Sequence, residues 1–359
     1  MAPGARQAIV LVGGEGTRLR PLTNTRPKPL LPVLGRPCVE YTLSSLASVG
    51  IEEIILSCGY RSEAVEEAFG RGRKFGIDVS FAYEDHPMGT AGAVKLLEKR
   101  LDPTSIVVYG DTLMDIDLEK VVESHHKNKA MVTIALTEVE RPTEFGIVGL
   151  DETGRIVRFK EKPKPEEVFS NLINAGIYVM QKQAMEYVPE ATKFDFSKNL
   201  FPILLEKGFP LFGSKLRGMW KDVGRPSDLL DANLRMAERR AVPMNVHGAD
   251  VEGKLAGSGF KAEGARLIGP SYLGIHAVAE RGALVNRSVI GDDCSIGEGA
   301  RVESSLLLNG CVIGPNARIK GCILGECCKI GESAVLTDCV VADRKEIEPC
   351  RTLSSATLD

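Results

Sequence analysis

The sequence has little excess charge and no long apolar run, and each shortage excludes a class of protein. A formal net charge of −3 provides no positive field for wholesale binding of nucleic acid. No apolar run approaches the length of a membrane span, and Met1 to Gln7 lack the basic and then apolar pattern of a signal peptide. We therefore expect a cytoplasmic protein with neither a nucleic-acid nor a membrane partner.

The cysteines and histidines of the sequence indicate neither a disulfide scaffold nor a catalytic nucleophile. The nine cysteines are odd in number and lack the spacing of a small disulfide scaffold, which favours reduced thiols. The five histidines form no convincing Ser/His/Asp or Cys/His arrangement. His125 and His126 lie in a polar helical pattern and are predicted to face solvent, whereas His86 borders a glycine-containing loop and is a candidate for lining a site. With 359 residues, the chain is long enough for two domains.

Short β-rich runs alternate with helical patterns over the first two-thirds of the chain. Strands are predicted at 8–12, 54–56 and 106–109, and helices at 39–49, 61–70 and 90–99. This alternation predicts a mostly parallel sheet with helices on both faces. Ligands on such sheets bind beyond the carboxyl ends of the strands, where Gly13-Gly14 and Gly110-Asp111 would lie.

The last third of the chain repeats itself every 17 residues. Ile296, Ile313 and Ile330 are each followed by glycine at this interval, and further apolar columns share it. Within each period an apolar residue recurs about every six positions, which predicts a left-handed parallel β-helix of roughly five rungs. The predicted domain limits are 1–240 for the α/β domain, 241–262 for a linker and 263–359 for the β-helix.

Several cysteines follow the same repeat. One column is Cys294, Cys311 and Cys328, and another contains Cys322 and Cys339. Stacked thiols could bind a metal, but no histidine or CxxC pair accompanies them. We therefore interpret them as small inward-facing packing residues.

The most informative segment runs from Gly13 to Thr23 (GGEGTRLRPLT) and leads to Arg26-Pro27-Lys28-Pro29. Glycines directly after a strand let backbone N–H groups approach phosphate oxygens. The segment fits neither the Rossmann GxGxxG spacing nor a Walker P-loop. Arg18 offers a planar fork suited to a triphosphate, and the prolines around Lys28 hold its ammonium on an extended backbone.

This segment resembles the signature GGxGTRLxPLT…PKP of the sugar-1-phosphate nucleotidylyltransferases. Further motifs of that family follow in the expected order: Pro87-Met88-Gly89-Thr90-Ala91-Gly92, Tyr109-Gly110-Asp111, Phe159-Lys160-Glu161-Lys162-Pro163, Asn174-Ala175-Gly176-Ile177-Tyr178 and Trp220-Lys221-Asp222-Val223-Gly224. The resemblance extends over nearly the whole chain. It implies a Rossmann-like fold of GT-A type, in which a mixed, mostly parallel sheet has flanking helices, followed by the β-helix.

The resemblance also assigns roles to individual residues. The catalytic cations are Arg18, Lys28 and Lys162; the nucleotide-binding residues are Leu11, Gly13, Gly14, Gly16, Thr17, Glu84, Gly89 and Thr90; the sugar-phosphate-binding residues are Gly110, Glu161, Lys162 and Asn174; and the Mg²⁺ ligands are Asp111 and Asp222. Carboxylates at strand ends suit Mg²⁺, although Asp115 and Asp117 are close enough in sequence to compete.

The expected reaction is an in-line displacement. A phosphate oxygen of the sugar 1-phosphate attacks the α-phosphorus of a nucleoside triphosphate, and pyrophosphate leaves. That oxygen is already ionised near neutral pH, so positioning and charge neutralisation are sufficient.

Glu84 gives a clue to the base. A carboxylate can accept both N1–H and N2–H of guanine, whereas it would repel the carbonyls beside N3–H of uracil or thymine. Relatives that use pyrimidine nucleotides commonly carry Gln here, which favours GTP. The Gly-Thr-Ala-Gly loop, together with the β-helix, resembles the mannose-1-phosphate guanylyltransferases. This resemblance implies GTP and mannose 1-phosphate as the substrates. A thymidylyl- or uridylyltransferase acting on glucose 1-phosphate is the alternative within the same class.

Two other classes of function are weighed against this one. A regulatory subunit that senses nucleotide sugars would have a disrupted nucleotide loop, but the charged motif residues are all present. A hexapeptide acyltransferase would need a catalytic histidine between rungs, and the neighbours of His276 suggest a position on a rung. We expect the β-helix to form a homo-oligomer interface or a regulatory surface.

Overall fold

The computed structural model describes residues 5–59, 61–70, 76–240, 242 and 244–359. These residues form two packing units, and the chain passes between the units three times. The first unit contains Met1–Glu15 and Cys38–Asp222, and the second contains Gly16–Pro37 and Val223–Asp359. Each unit is described separately below.

The α-helices of the described residues are α1 (Cys38–Ser48), α2 (Ser62–Phe69), α3 (Gly89–Lys95), α4 (Glu119–Lys127), α5 (Phe201–Glu206) and α6 (Pro226–Arg240). The strands before the repeat are β1 (Gln7–Leu11), β2 (Pro32–Val33), β3 (Arg36–Pro37), β4 (Glu53–Cys58), β5 (Asp78–Tyr83), β6 (Thr104–Tyr109), β7 (Thr112–Ile116), β8 (Val132–Glu138), β9 (Gly146–Leu150), β10 (Ile156–Glu161), β11 (Leu172–Gln181), β12 (Leu211–Lys215) and β13 (Gly218–Asp222).

The strands of the repeat are β14 (Asp250–Glu252), β15 (Leu255–Gly257), β16 (Arg266–Ile268), β17 (Ser271–Leu273), β18 (Val278–Ala279), β19 (Leu284–Asn286), β20 (Val289–Ile290), β21 (Ser295–Ile296), β22 (Arg301–Glu303), β23 (Leu306–Leu307), β24 (Val312–Ile313), β25 (Arg318–Lys320), β26 (Ile323–Leu324), β27 (Lys329–Ile330), β28 (Val335–Thr337), β29 (Val340–Val341), β30 (Glu346–Ile347), β31 (Thr352–Ser354) and β32 (Thr357–Leu358).

A mixed nine-stranded sheet forms the centre of the first unit. Its main path runs β10-β9-β11-β6-β1-β4-β5, and β8 joins β11 to β12. The β6-β1-β4-β5 part is parallel, whereas β11 runs antiparallel to β6, β8 and β9. Ala8, Ile9 and Val10 of β1 have no exposed surface, as expected for a strand covered on both faces. The predicted Rossmann-like fold with a mixed sheet is confirmed, with parallel and antiparallel pairings in equal number.

Register brings the carboxyl ends of three parallel strands to one edge of this sheet. Leu11 at the end of β1 pairs with Ser57 of β4 on one side and with Tyr109 of β6 on the other. The residues that follow these strands therefore emerge side by side. A separate two-stranded ribbon, β7 with β13, lies beyond β6 in the chain.

The second unit contains the predicted left-handed parallel β-helix. Two of its three ladders have seven strands and the third has five. The 17-residue columns stack in register, with Ile296 beside Ile313 and Ile313 beside Ile330. The ladders begin at Asp250, within the segment 241–262 predicted as a linker. The domain limits given above remain a prediction.

The stacked cysteines belong to the interior of the β-helix. Cys294, Cys311 and Cys328 are buried, and each thiol donates a hydrogen bond to a backbone carbonyl at 3.1 Å. Cys322 and Cys339 are also buried. Their interpretation as packing residues is confirmed.

The second unit also includes the segment 16–37. Gly16 adopts a left-handed conformation with φ of 63°, and its carbonyl accepts a hydrogen bond from the Thr23 hydroxyl at 2.9 Å. Asn233 of α6 has no exposed surface; it accepts the Leu34 N–H and donates to the Pro32 carbonyl. The β2–β3 hairpin is thereby fixed to α6.

No helix of the described residues is both long and apolar enough to cross a membrane.

Candidate active site

A cavity of about 460 Å³ opens at the carboxyl edge of the parallel strands in the first unit. Its walls are formed by Leu11, Gly13, Gly14, Glu15, Gly59, Glu84, Asp85, His86, Pro87, Gly89, Thr90, Ala93, Tyr109 and Asp111. Seven of the predicted site residues are among them: Leu11, Gly13, Gly14, Glu84, Gly89, Thr90 and Asp111. His86 also lines the cavity, as predicted. The cavity is large enough for a small-molecule ligand.

Glycines form this edge because backbones approach closely there. A Cβ on Gly59 would lie 2.8 Å from the Gly13 carbonyl oxygen, and one on Gly110 would lie 2.5 Å from Cγ1 of Val12. Gly110 also donates its N–H to the Leu11 carbonyl. Any larger residue at Gly59 or Gly110 would force the strand ends apart.

Glu84 projects from the end of β5 into the wall of the cavity. Its Oε2 accepts the Met88 N–H at 2.9 Å, and its Oε1 lies 3.5 Å from the Ser57 hydroxyl. Because each carboxylate oxygen can accept two hydrogen bonds, both oxygens can also accept from a ligand. Glu84 therefore both shapes the loop before α3 and faces the cavity.

The loop at the start of α3 is held by a segment near residue 195. Gly89 has φ of 73°, and a Cβ there would lie 2.8 Å from the Phe194 carbonyl oxygen. That carbonyl accepts the N–H groups of Ala91 and Gly92. Asp195 lies 3.3 Å from the Thr90 N–H and 3.4 Å from its hydroxyl. Asp195 is therefore a neighbour of the cavity that the sequence motifs did not indicate.

The β7–β13 ribbon brings the backbone positions of the two predicted metal ligands close to each other. Asp222 pairs in register with Thr112, the residue after Asp111. Two carboxylates with room for phosphate oxygens and water suit Mg²⁺, so this pair fits the predicted metal. Asp117, in contrast, accepts the Glu119 N–H at the start of α4 and forms an ion pair with Lys120. Asp117 therefore stabilises the start of α4.

Two of the predicted sugar-phosphate residues lie on strands of the first unit, Glu161 on β10 and Asn174 on β11. Burial raises the pKa of Glu161, although the neighbouring ammonium groups of Lys162 and Lys198 act in the opposite direction. Lys162 directly follows β10, has φ of 43° and donates its N–H to the Phe145 carbonyl. The lysine side chain is exposed. The site thus places an exposed cation beside a half-buried carboxylate.

Asn174 is bound mainly within the protein. Its Nδ2 donates to the hydroxyls of Tyr178 and Ser197, each at 2.9 Å, and its Oδ1 accepts the Gly176 N–H. Only the second lone pair of Oδ1 remains for a ligand. Tyr178 packs against Phe196 and Phe201, which fixes this network in the core.

Four predicted site residues belong to the second unit: Gly16, Thr17, Arg18 and Lys28. Thr17 and Arg18 form a short 3₁₀ helix that begins after Gly16, and both side chains are exposed. Lys28 begins another 3₁₀ helix and is only 8% exposed. Its Cβ would lie 3.0 Å from a Cβ on Gly16, so only glycine fits under the lysine stem.

Some cavity residues could have been found from the sequence and others could not. Gly59 directly follows β4, and Tyr109 ends β6, so their positions after or at strand ends were a usable signal. Asp195 follows no strand, and its contact with Thr90 spans 105 residues. Nothing in the local sequence indicates that contact.

A glycine-lined cavity at the carboxyl edge of parallel strands is typical of α/β enzymes that bind phosphorylated ligands. A family model described as nucleotidyl transferase matches residues 7–239, and one described as GMPPB C-terminal domain matches residues 267–358. The chain belongs to the nucleotidyl transferase family.

Two relatives are similar in sequence to this chain over about three-quarters of its length. A UTP–glucose-1-phosphate uridylyltransferase of Synechocystis sp. is 31% identical over 75% of this chain and 74% of its own length. A mannose-1-phosphate guanylyltransferase of Mycobacterium tuberculosis is 35% identical over 76% of each chain. A solved structure from Bacillus anthracis, assigned as a glucose-1-phosphate thymidylyltransferase, has a TM-score of 0.59 at 26% identity and covers 67% of this chain and 97% of its own.

Proposed function

We propose that this nucleotidyltransferase transfers GMP from GTP to mannose 1-phosphate, giving GDP-mannose and pyrophosphate. The observation that carries the choice of base is the Glu84 carboxylate in the cavity wall. The guanylyltransferase relative from M. tuberculosis supports the choice of both substrates.

The reaction needs positioned cations and no protein nucleophile. A phosphate oxygen of mannose 1-phosphate forms a bond to the α-phosphorus, while the bond from that phosphorus to the bridging oxygen breaks and pyrophosphate leaves. Arg18 and Lys28 hold the triphosphate, and Lys162 holds the sugar phosphate. These cations neutralise the charge that develops between two polyanions.

Asp111 and Asp222 would hold Mg²⁺, which is supported by the register of Asp222 with Thr112, the residue that follows Asp111. When bound, the ion would neutralise phosphate charge in the transition state. Glu161 accepts hydrogen bonds from sugar hydroxyls, and Gly110 allows the sugar phosphate to approach the backbone. Asn174 contributes through its remaining lone pair and by fixing the turn at Gly176.

Glu84 selects guanine because its carboxylate can accept N1–H and N2–H together. A Gln at this position would keep an acceptor for the Met88 N–H but would present a donor on its other atom. Glu84→Gln therefore tests base choice with little change in the loop.

The experiment measures pyrophosphate release with Mg²⁺ for GTP, UTP, dTTP, ATP and CTP, each with mannose 1-phosphate and with glucose 1-phosphate. We expect release with GTP and mannose 1-phosphate. In Glu84→Gln the ratio of kcat/KM for GTP to that for UTP should fall about tenfold or more, because a charged hydrogen bond is lost. Asp78→Asn, which removes an exposed carboxylate from the start of the same strand, is the matched control and should leave the ratio unchanged.

A uridylyltransferase acting on glucose 1-phosphate is the second candidate, favoured by the Synechocystis relative. A wild-type preference for UTP or dTTP would establish that class and reject the role given to Glu84. Absence of release from every pair, with folded protein, would reject catalysis and favour a regulatory subunit.

The enzyme is further proposed to be a cytoplasmic homo-oligomer. All nine cysteines are free thiols, which supports a reducing compartment. Light scattering coupled to gel filtration tests the assembly, and a monomeric mass at micromolar concentration would reject it.

A further inference from the structure

Two consecutive residues of the segment 16–37 bind carboxylates of the β-helix. Arg26 Nη1 lies 2.5 Å from Glu326 Oε1, and Nη2 lies 2.6 Å from Asp343 Oδ2. The Thr25 hydroxyl donates to the same Asp343 oxygen at 2.6 Å. These contacts span between 300 and 318 residues of the chain, and they join the segment to the last rungs.

Burial distinguishes the Arg26 contacts from ordinary surface ion pairs. The Arg26 side chain is 14% exposed and that of Asp343 is 9% exposed. Asp343 Oδ1 accepts the Glu326 N–H at 2.8 Å, so the carboxylate is oriented before it meets the arginine. Burial by itself would lower the pKa of Arg26, but the hydrogen bonds and charges of Glu326 and Asp343 outweigh it and raise the pKa. Such charge-assisted, partly desolvated pairs are among the stronger polar contacts in proteins.

The anchored residues are rigidly connected to the predicted catalytic cations. Pro27, with φ of −69°, separates Arg26 from Lys28, so little rotation is possible between them. The Lys28 stem packs over Gly16, and the Thr23 hydroxyl binds the Gly16 carbonyl. The stretch from Gly16 to Lys28 is therefore a loop closed upon itself, and Arg18 lies within it.

We propose that Arg26 is a positioning residue: by binding Glu326 and Asp343, it fixes the closed loop that carries Arg18 and Lys28, so that the β-helix sets the placement of the triphosphate-binding cations. This inference rests on the proposed function, in which those two cations hold the triphosphate. Arg26 acts through them, because both of its terminal nitrogens are engaged by carboxylates.

Kinetics of Arg26→Met and Asp343→Asn test the proposal. Met keeps much of the buried stem and removes the charge, and Asn keeps an acceptor for the Glu326 N–H. We expect the KM for the nucleoside triphosphate to rise at least about tenfold, because a displaced loop misplaces two cations. The KM for the sugar 1-phosphate should stay within about twofold of wild type, because Lys162 is untouched.

The matched control is Glu346→Gln. Glu346 pairs with Lys329 at 2.6 Å on the same β-helix, and these two side chains are 67% and 65% exposed, in contrast to the largely buried pair of Arg26 and Asp343. Breaking an exposed pair should leave both KM values unchanged. Arg26→Lys should recover only part of the wild-type KM, because an ammonium lacks the fork that spans two carboxylates.

Hydrogen exchange without substrate separates this proposal from the proposed function. In Arg26→Met, peptides covering 16–31 should exchange at least about tenfold faster, while peptides covering 284–320 keep wild-type rates. This readout does not depend on which nucleotide the enzyme uses. If wild type releases no pyrophosphate but the exchange pattern appears, the proposed function fails and the Arg26 contact still holds the loop.

Two results would overturn the proposal. One is an active wild type whose Arg26→Met and Asp343→Asn variants match Glu346→Gln in both KM and exchange. The other is faster exchange throughout the β-helix with a lower kcat and an unchanged KM for the nucleotide, which would show general destabilisation and no placement of the loop.

Discussion

His125 shows how a single polar side chain can be misjudged from its helix. The polar pattern of α4 predicted a solvent-facing position, and this is wrong, because His125 is 1% exposed. Its Nδ1 lies 3.1 Å from the Thr133 hydroxyl, and its Nε2 lies 2.8 Å from the amide nitrogen of Gln181. Since that amide donates, the imidazole is neutral with its proton on Nδ1. Its i−4 neighbour Val121 is also buried, a spacing that could have indicated the buried face.

This burial predicts a pH dependence of stability. Desolvation, together with the nearby His126, lowers the pKa of His125 from 6.5 to about 4. Between these two pH values His125 binds a proton in the unfolded chain and stays neutral in the folded protein. The contribution of neutral His125 to the free energy of unfolding is therefore fully present above pH 6.5 and is lost as the pH falls towards 4. At pH 4.5 the loss should be about 2–3 kcal/mol relative to pH 7.5.

Urea unfolding followed by Trp220, the single tryptophan, measures this loss in the first unit. In His125→Gln the difference between pH 7.5 and pH 4.5 should shrink by that amount. His276→Gln, which changes a histidine that is 76% exposed, should leave the difference as in wild type. Equal pH dependence in all three proteins would contradict the prediction.

The catalytic role proposed for Lys162 can be tested by comparing its substitution with that of the nearby Lys164. Lys162→Met should lower kcat/KM about 100-fold, because a cation that stabilises transition-state charge is removed. Lys164→Met removes the charge of another exposed lysine two residues later and should change kcat/KM less than about twofold. Similar losses in both variants would assign the effect to the net charge of the segment.

At the scale of elements, periodicity determined what the sequence could predict. The 17-residue repeat predicted the ladders because each rung depends only on its neighbours, and Val302, Ile319 and Leu336 accordingly stack in register. Motifs at strand ends predicted most of the cavity wall for the same local reason. The hydrogen bonds between Asp195 and Thr90 and between Arg26 and Asp343 depend on tertiary folding, which no local pattern reports.

The β-helix core gives a prediction with an internal control. Ile319 is 1% exposed and stacks between Val302 and Leu336, so Ile319→Ala should lower the free energy of unfolding by about 3 kcal/mol through lost burial and a cavity. Val312, which is 45% exposed, lies on another ladder, and Val312→Ala should cost less than about 0.5 kcal/mol. Calorimetry measures both, and equal shifts would contradict an inward-facing Ile319.

At the scale of the whole molecule, charge limits how a polyanionic substrate can bind. The chain carries a net charge of −3, and Glu84 and Asp111 face the cavity itself. The net charge therefore supplies no long-range attraction, and we expect affinity for a triphosphate to come from a few local cations. A divalent ion at Asp111 and Asp222 would convert two repelling carboxylates into an attractive site.

Nucleotide binding should consequently stabilise the protein only when Mg²⁺ is present. With Mg²⁺ and GTP at about 100 times the dissociation constant, linkage predicts a gain of about 2.7 kcal/mol, visible as a higher unfolding temperature. With GTP and EDTA the carboxylates repel the triphosphate, so the gain should nearly vanish. Asp111→Asn should lose most of the Mg²⁺-dependent gain, whereas Asp117→Asn, at the start of α4, should retain it. An equal gain with EDTA would show that the local cations suffice and that the carboxylate pair serves another purpose.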